Sequence, residues 1–160
     1  QRYSPLDQIN RETAGDLGLA WSFDVGNKIG LQGTPLVIDG VMYVTAGWSV
    51  VHALDARSGE PLWTFDPEVP RGESYRYCCG FINRGVAAWG GNLYLGSLDG
   101  RLIAIDAKTG ARVWSTMTVP SGESGKSYSI SGAPRIVKGK VVIGNGGAEF
   151  AGTRGYVSAS

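Results

Sequence analysis

Residues 74–85 read SYRYCCGFINRG and hold both cysteines of the chain, Cys78 and Cys79, as immediate neighbours. Disulfides usually join Cα atoms about 4.4–6.8 Å apart, whereas neighbouring Cα atoms stand about 3.8 Å apart across a trans peptide. A bridge between these two must strain the peptide or the side-chain torsions. It encloses almost no chain, so it removes little unfolded-state entropy and stabilises poorly. What it would make is a rigid, flat, polarisable surface, and strain kept without a stability return points to a functional site. The doublet alone also reads as two free thiols or as two small buried residues. Arg84 follows six residues after Cys78 in INRG. A guanidinium can pair bidentately with a carboxylate or simply lie at the surface. His52, the single histidine, falls in VVHALD with no second histidine or free carboxylate in a ligand pattern. A strand histidine in the packed core or on the blade surface is the expected reading for it.

The elements that must carry these residues are short. Glycine supplies 25 of 160 residues, beside 5 Trp and 7 Tyr, a composition that fits short strands joined by tight turns. The best helical candidate is SPLDQINRETAGDLGLAW, where Ser4 can cap and Pro5 can open a turn. Gly15 and Gly18 interrupt it, so one short helical turn is expected there. A length of 160 residues suits one domain. The net charge of +1, with 42% hydrophobic and 18% charged residues, argues against a disordered tail and against nucleic-acid binding by bulk charge. No apolar run approaches the roughly 18 residues of a membrane-spanning helix. The polar N-terminus lacks a basic segment followed by an apolar one, so no signal peptide is read there. The chain begins without Met and is expected to be a mature form or a fragment, so this says little about compartment.

Two stretches repeat. VIDGVMYVTAGWSVVHALDARSGEPLWTFD (37–66) aligns with AWGGNLYLGSLDGRLIAIDAKTGARVWSTM (88–117). Gly40 and Gly91, Tyr43 and Tyr94, Ala53 and Ala104, Asp55 and Asp106, Gly59 and Gly110, and Trp63 and Trp114 all stand 51 positions apart. A third copy begins at IVKGKVVIGNGGAEFAGTRGYVSA, and an earlier half-copy, LGLAWSFDVG, supplies a last strand with Trp21 in the repeated position. Each unit reads as four short antiparallel strands, the pattern of a β-propeller blade. Blade material is expected at about 17–70, 80–118 and 128–160, within one partial propeller domain spanning 1–160. The repeated Asp should accept turn N–H groups, the Gly should let that turn close, and the Trp should fill the space between blades. Propellers have about four to eight blades, so roughly three cannot close a ring, and the chain is expected to be part of a longer protein.

The motif AxDxxTGxxxW, present as ALDARSGEPLW and AIDAKTGARVW, resembles the tryptophan-docking motif of quinoprotein dehydrogenases. Further segments resemble the pyrroloquinoline quinone (PQQ) dependent alcohol dehydrogenases: RYSPLDQINRETAGDLGLAWSFD, GWSVVHALDARSG, CCGFINRGVA, GRLIAIDAKTG and SGAPRIVKGKVVIGNGGAEF. The resemblance runs from Arg2 to about Ala159. It implies an all-β, eight-bladed propeller carrying PQQ and Ca²⁺ on its axis, which oxidises primary alcohols in the periplasm. Electrons would pass to a cytochrome c or a quinone. No nucleic acid is implied as a partner, and the protein would not itself span a membrane. The family's catalytic Asp would lie beyond Ser160, so the 160 residues alone are expected to show no PQQ-dependent activity.

Residue by residue, the resemblance assigns Cys78 and Cys79 to a vicinal disulfide lying against one face of PQQ, which also fits an oxidising compartment. Arg84 would contact the cofactor's carboxylate and quinone region. Ser131 would donate its hydroxyl to a PQQ carboxylate where the family usually has Thr, with Ser129 a competitor. Gly147 and Ala148, lacking bulky side chains, would let the backbone approach the cofactor. Glu149 would bind Ca²⁺, which takes about 6–8 oxygens, so the remaining ligands would come from elsewhere. Gln32 stands where many members have Glu; it keeps hydrogen bonding and loses the charge. Ca²⁺ would act as a Lewis acid. A lanthanide in its place, and a heme c domain outside this chain, stay open. The alternative readings are another quinoprotein, a sugar or polyol dehydrogenase, and a non-catalytic propeller scaffold, which needs neither CCGFINRG nor GAE.

Overall fold

A computed structural model of the chain describes residues 5–27, 30–72, 80–120, 128–147 and 153–160. Three antiparallel sheets follow one another along the sequence. The first is a meander of β1 (Leu36–Ile38), β2 (Val41–Thr45), β3 (Val51–Asp55) and β4 (Pro61–Phe65). The second repeats it with β5 (Ala87–Trp89), β6 (Asn92–Gly96), β7 (Arg101–Asp106) and β8 (Arg112–Met117). The third has β9 (Arg135–Val137), β10 (Lys140–Gly144) and β11 (Val157–Ala159). These are propeller blades, as the repeat predicts. The N-terminal candidate helix is a single 3-10 turn, Ala14–Asp16.

Alternation along the strands explains how the blades stack. In β6 and β7, Leu93, Leu95, Ile103 and Ile105 pack against Tyr43, Val51 and Ala53 of the first sheet. The intervening Tyr94, Leu102 and Ala104 pack against Ile130, Val141 and Ile143 on the other side. The second sheet is therefore covered on both faces, which is why LIAI reads as an unbroken apolar run. Each fully buried Leu or Ile of this kind contributes about 1.5–3 kcal/mol.

The repeated residues form a docking seam. Asp55 Oδ1 accepts the Arg57 and Ser58 N–H groups at 2.9 and 2.8 Å. Asp106 Oδ1 does the same for Lys108 and Thr109 at 3.0 and 2.7 Å. Hydrogen bonds from Ser58 and from Thr109, backbone and side chain, hold both carboxyls below their ordinary range. Trp21 Nε1 donates to the Ala56 carbonyl and Trp63 Nε1 to the Ala107 carbonyl, each at 3.2 Å. The glycines do more than close the turn. A Cβ on Gly59 would lie 2.5 Å from the Trp21 ring, and one on Gly110 2.7 Å from the Trp63 ring. The indole of one unit thus lies flat on the glycine of the next.

A bulge in each of the first two blades shifts the register, between Ala53 and Leu54 on β3 and between Ala104 and Ile105 on β7. It inserts Leu62 and Val113 beside the docking tryptophans. The stretch LGLAWSFDVG, expected as a last strand, joins no ladder among the described residues, although Trp21 docks as anticipated. Among the described residues it is placed instead by side chains, the Trp21 indole on the Ala56 carbonyl and the Phe23 ring against His52.

Candidate functional site

The first strands of the three blades, β1, β5 and β9, are the inner ones, with β5 in contact with β9, and the segments leading into them lie side by side. The Thr34 N–H donates to the Arg84 carbonyl at 3.4 Å, and the Arg84 N–H donates to the Ser131 carbonyl at 2.9 Å. One backbone path therefore crosses from the first blade to the second and on to the third. Gly85 permits it: φ is +126°, and a Cβ there would stand 3.3 Å from the Thr34 carbonyl oxygen.

Onto this path the sequence places Arg84, whose side chain is exposed and whose Nη1 donates to Ser131 Oγ at 2.5 Å. The two serine candidates stand in different surroundings. Ser131 shares its hydroxyl with Arg84, whereas Ser129 is 6% exposed and pairs its backbone with Gly146. Gly147 follows, buried and at φ +103°, where a side chain would be strained. Gln32 is exposed, two residues before the Thr34 amide that binds Arg84. Four of the sequence candidates, Cys78, Cys79, Ala148 and Glu149, lie outside the described residues.

Asn83 emerges only in the structure. Its side chain is 2% exposed. Its Nδ2 donates to the Gly96 carbonyl at 2.9 Å and to Ser49 Oγ at 3.3 Å, while its Oδ1 accepts the Gly85 N–H at 2.9 Å. Its carbonyl accepts the Thr45 hydroxyl at 3.3 Å. Asn83 thus fixes the residue before Arg84 and the residue after it. The only sequence signal was its place inside INRG.

A second unforeseen feature is the 3-10 turn Gly47–Ser49 between β2 and β3, in which Trp48 has φ 61° and Ser49 φ 62°. Left-handed conformations at non-glycine residues cost roughly 1–2 kcal/mol each. Ser49 is fully buried, and its Oγ also accepts the Leu98 N–H at 3.1 Å.

His52 is 7% exposed and lies edge-on to Phe23, ring centroids 5.3 Å apart. Its Nδ1 stands 3.0 Å from Thr64 Oγ1, and Nε2 has no hydrogen-bond partner among the described residues. Burial lowers its pKa, so the neutral ring is favoured. It is a packed side chain, as expected.

A cavity of about 630 Å³ opens between the first two blades, lined by Ile38, Asp39, Tyr43, Trp63, Trp89 and Lys108 among others. It lies at the turn end of the inner strands and contains none of the sequence candidates. The chemistry of the Arg84 end is different: an exposed guanidinium and a hydroxyl brought together from two blades, a donor set for a carboxylate-bearing ligand. Among the described residues no group of three His, Cys, Asp or Glu could hold a metal ion, and no helix is long and apolar enough to cross a membrane.

Comparison with known proteins agrees over the whole length. Residues 1–159 match the family described as PQQ: glucose/ethanol/alcohol dehydrogenase, beta-propeller domain. The chain is 61% identical over 158 residues to a 1-butanol dehydrogenase (cytochrome c) of Thauera butanivorans, an alignment covering 99% of this chain and 22% of that protein. A quinohemoprotein alcohol dehydrogenase of Pseudomonas putida superposes with a TM-score of 0.93 at 57% identity, covering 99% of this chain and 23% of the other. A europium-containing methanol dehydrogenase superposes with a TM-score of 0.88 at 39% identity, covering 99% and 27%. The chain therefore spans about a fifth of the curated relatives it matches.

Proposed function

The chain belongs to the PQQ glucose/ethanol/alcohol dehydrogenase β-propeller family, and from that premise we propose that it is the N-terminal part of a PQQ-dependent enzyme oxidising primary alcohols to aldehydes. The observation that carries this reading is the Arg84–Ser131 pair. It joins two blades at one end of the inner strands and leaves a guanidinium exposed.

These residues fit the cofactor. PQQ is a tricarboxylate, and Arg84 and Ser131 offer N–H and O–H donors in a fixed mutual geometry. Arg84 binds a carboxylate of the cofactor; Ser131 orients the guanidinium and donates its own hydroxyl. Gly147, at φ +103° and without a side chain, lets the backbone approach the cofactor closely. Gln32 adds a neutral hydrogen-bonding group at the same end. We assign Cys78 and Cys79 to the surface under the cofactor ring and Ala148 to its close approach. Glu149 is assigned to a bound Ca²⁺, or to a lanthanide as in the europium-containing relative. When bound, PQQ supplies a two-electron quinone acceptor for the two electrons and two protons an alcohol loses on becoming an aldehyde. The residues of this chain hold and orient that group; the proton-accepting base belongs elsewhere in the protein. The compartment we propose is the periplasm. The electron acceptor is a cytochrome c or a quinone, reached through a heme c domain if the protein carries one. Relatives named cytochrome c and quinone dehydrogenases support that choice.

Titration of the apo form of the full protein with PQQ tests the reading. Replacing Arg84 by Gln should raise Kd roughly tenfold to a hundredfold, the worth of a charge-assisted hydrogen bond. Unchanged affinity would remove Arg84 from the site.

A further inference from the structure

Trp48 meets the segment that leads to Arg84 in two ways. Its ring stacks on Phe81, centroids 4.4 Å apart and planes 9° apart. Its amide donates to the Phe81 carbonyl at 2.8 Å. The Arg71 guanidinium stands 5.9 Å from the centre of the same indole and is tied to Asp66 at 3.1 Å. One residue further on, Ser49 Oγ accepts from Asn83 Nδ2, and Asn83 holds the Gly85 amide. The Gly47–Ser49 turn therefore grips the entering segment at Phe81 and again at Asn83, immediately before Arg84.

The turn itself does not call for this. At the same place in the second blade the chain reads Leu98, Asp99 and Gly100, with glycine at the left-handed position and no aromatic residue. Trp48 and Ser49 both carry a positive φ, and the contacts that hold them there reach Phe81 and Asn83 of the second blade's approach and Leu98 of its β6–β7 turn. A strained conformation held by a neighbouring segment is also a constraint on that segment.

We propose that Trp48 is a positioning residue for Arg84. Its stack on Phe81 and its bond to the Phe81 carbonyl set the path by which the chain enters the second blade, and so the place from which the guanidinium reaches Ser131 and the cofactor. This rests on the cofactor reading given above.

Amide hydrogen exchange on the apo form of the full protein, followed by PQQ titration, tests it. Trp48→Ala should speed exchange of the Arg84 and Gly85 amides about tenfold or more while the β7 amides keep their protection. Its Kd for PQQ should rise by about the same factor. Trp48→Phe retains a stacking ring and should return both readouts to within about threefold of wild type. Trp63→Phe, which loses the bond to the Ala107 carbonyl in the docking seam, should lower Tm without changing exchange at Arg84. Wild-type exchange at Arg84 and Gly85 in Trp48→Ala would overturn the proposal. So would a loss of protection spread equally over β7, which is the mark of a purely structural role. A wild-type protein that bound no PQQ would instead overturn the cofactor reading, and the exchange data separate that outcome from a failure of Trp48.

Discussion

At residue 49 in the first blade and residue 100 in the second, the chain passes through the left-handed region at the same point of the repeat. The turns share their backbone bonds: Ala46 N–H donates to the Val50 carbonyl, and Ser97 N–H to the Arg101 carbonyl, at 2.8 and 2.9 Å. Their contents differ. The second turn uses Gly100 at φ +89° and closes on itself, with Ser97 bonded to Asp99 and Asp99 paired with Arg101 at 2.6 Å. Arg101 also donates to the Pro67 carbonyl at 2.7 Å and so ties down the connection between the blades. The first turn accepts strain at Trp48 and Ser49 and turns outward, to Phe81, Asn83 and Leu98. One position in the fold can thus serve the scaffold in one copy and the approach to Arg84 in the other.

The contrast breaks most visibly if the contents are exchanged. Gly100→Ser should destabilise the protein by about 3 kcal/mol or more in chemical denaturation, from a positive φ and overlap of its new Cβ with Val119 Cγ2. A loss under about 1 kcal/mol would show that the second turn has room to take the first turn's residue. Arg101→Met should cost about 2 kcal/mol, because Asp99 and the Pro67 carbonyl lose a shared donor. Ser49→Gly should destabilise by about 1 kcal/mol although it relieves the backbone, because the buried Leu98 N–H loses its acceptor. A gain in Tm would mean that strain outweighs the hydrogen bonds. The smallest effect concerns His52, which occupies the place of Ile103 in the second blade. Burial lowers its pKa below the usual 6.5. Its contribution to stability is whole above pH 6.5 and declines as pH falls from there through the folded value, because the unfolded chain takes up the proton first. Thermal melts between pH 8 and 5 should show that decline, and His52→Ile should flatten it.

The blades were legible because their determinants are local and repeated. Asp55 reads its own turn at 57 and 58, and Trp63 recurs at 114 with the same neighbours. Even here Gly59 and Gly110 were half understood, since the indole pressing on each belongs to another blade. Spacing from the doublet singles out Arg84 in the sequence, and the structure sets that residue beside Ser131. Which of Ser131 and Ser129 lies beside Arg84 needed coordinates, because the two partners stand 47 positions apart. Asn83 and Trp48 escaped for the same reason. Their partners are Gly96, Ser49 and Phe81, and no period or motif marks such a meeting.

The main chain of Arg84 is held from both sides, its carbonyl by Thr34 and its amide by Ser131, before its side chain does anything. Position 84 therefore behaves as a socket. A different side chain there would start from the same Cα, because the main chain and not the guanidinium sets how the blades meet at this point.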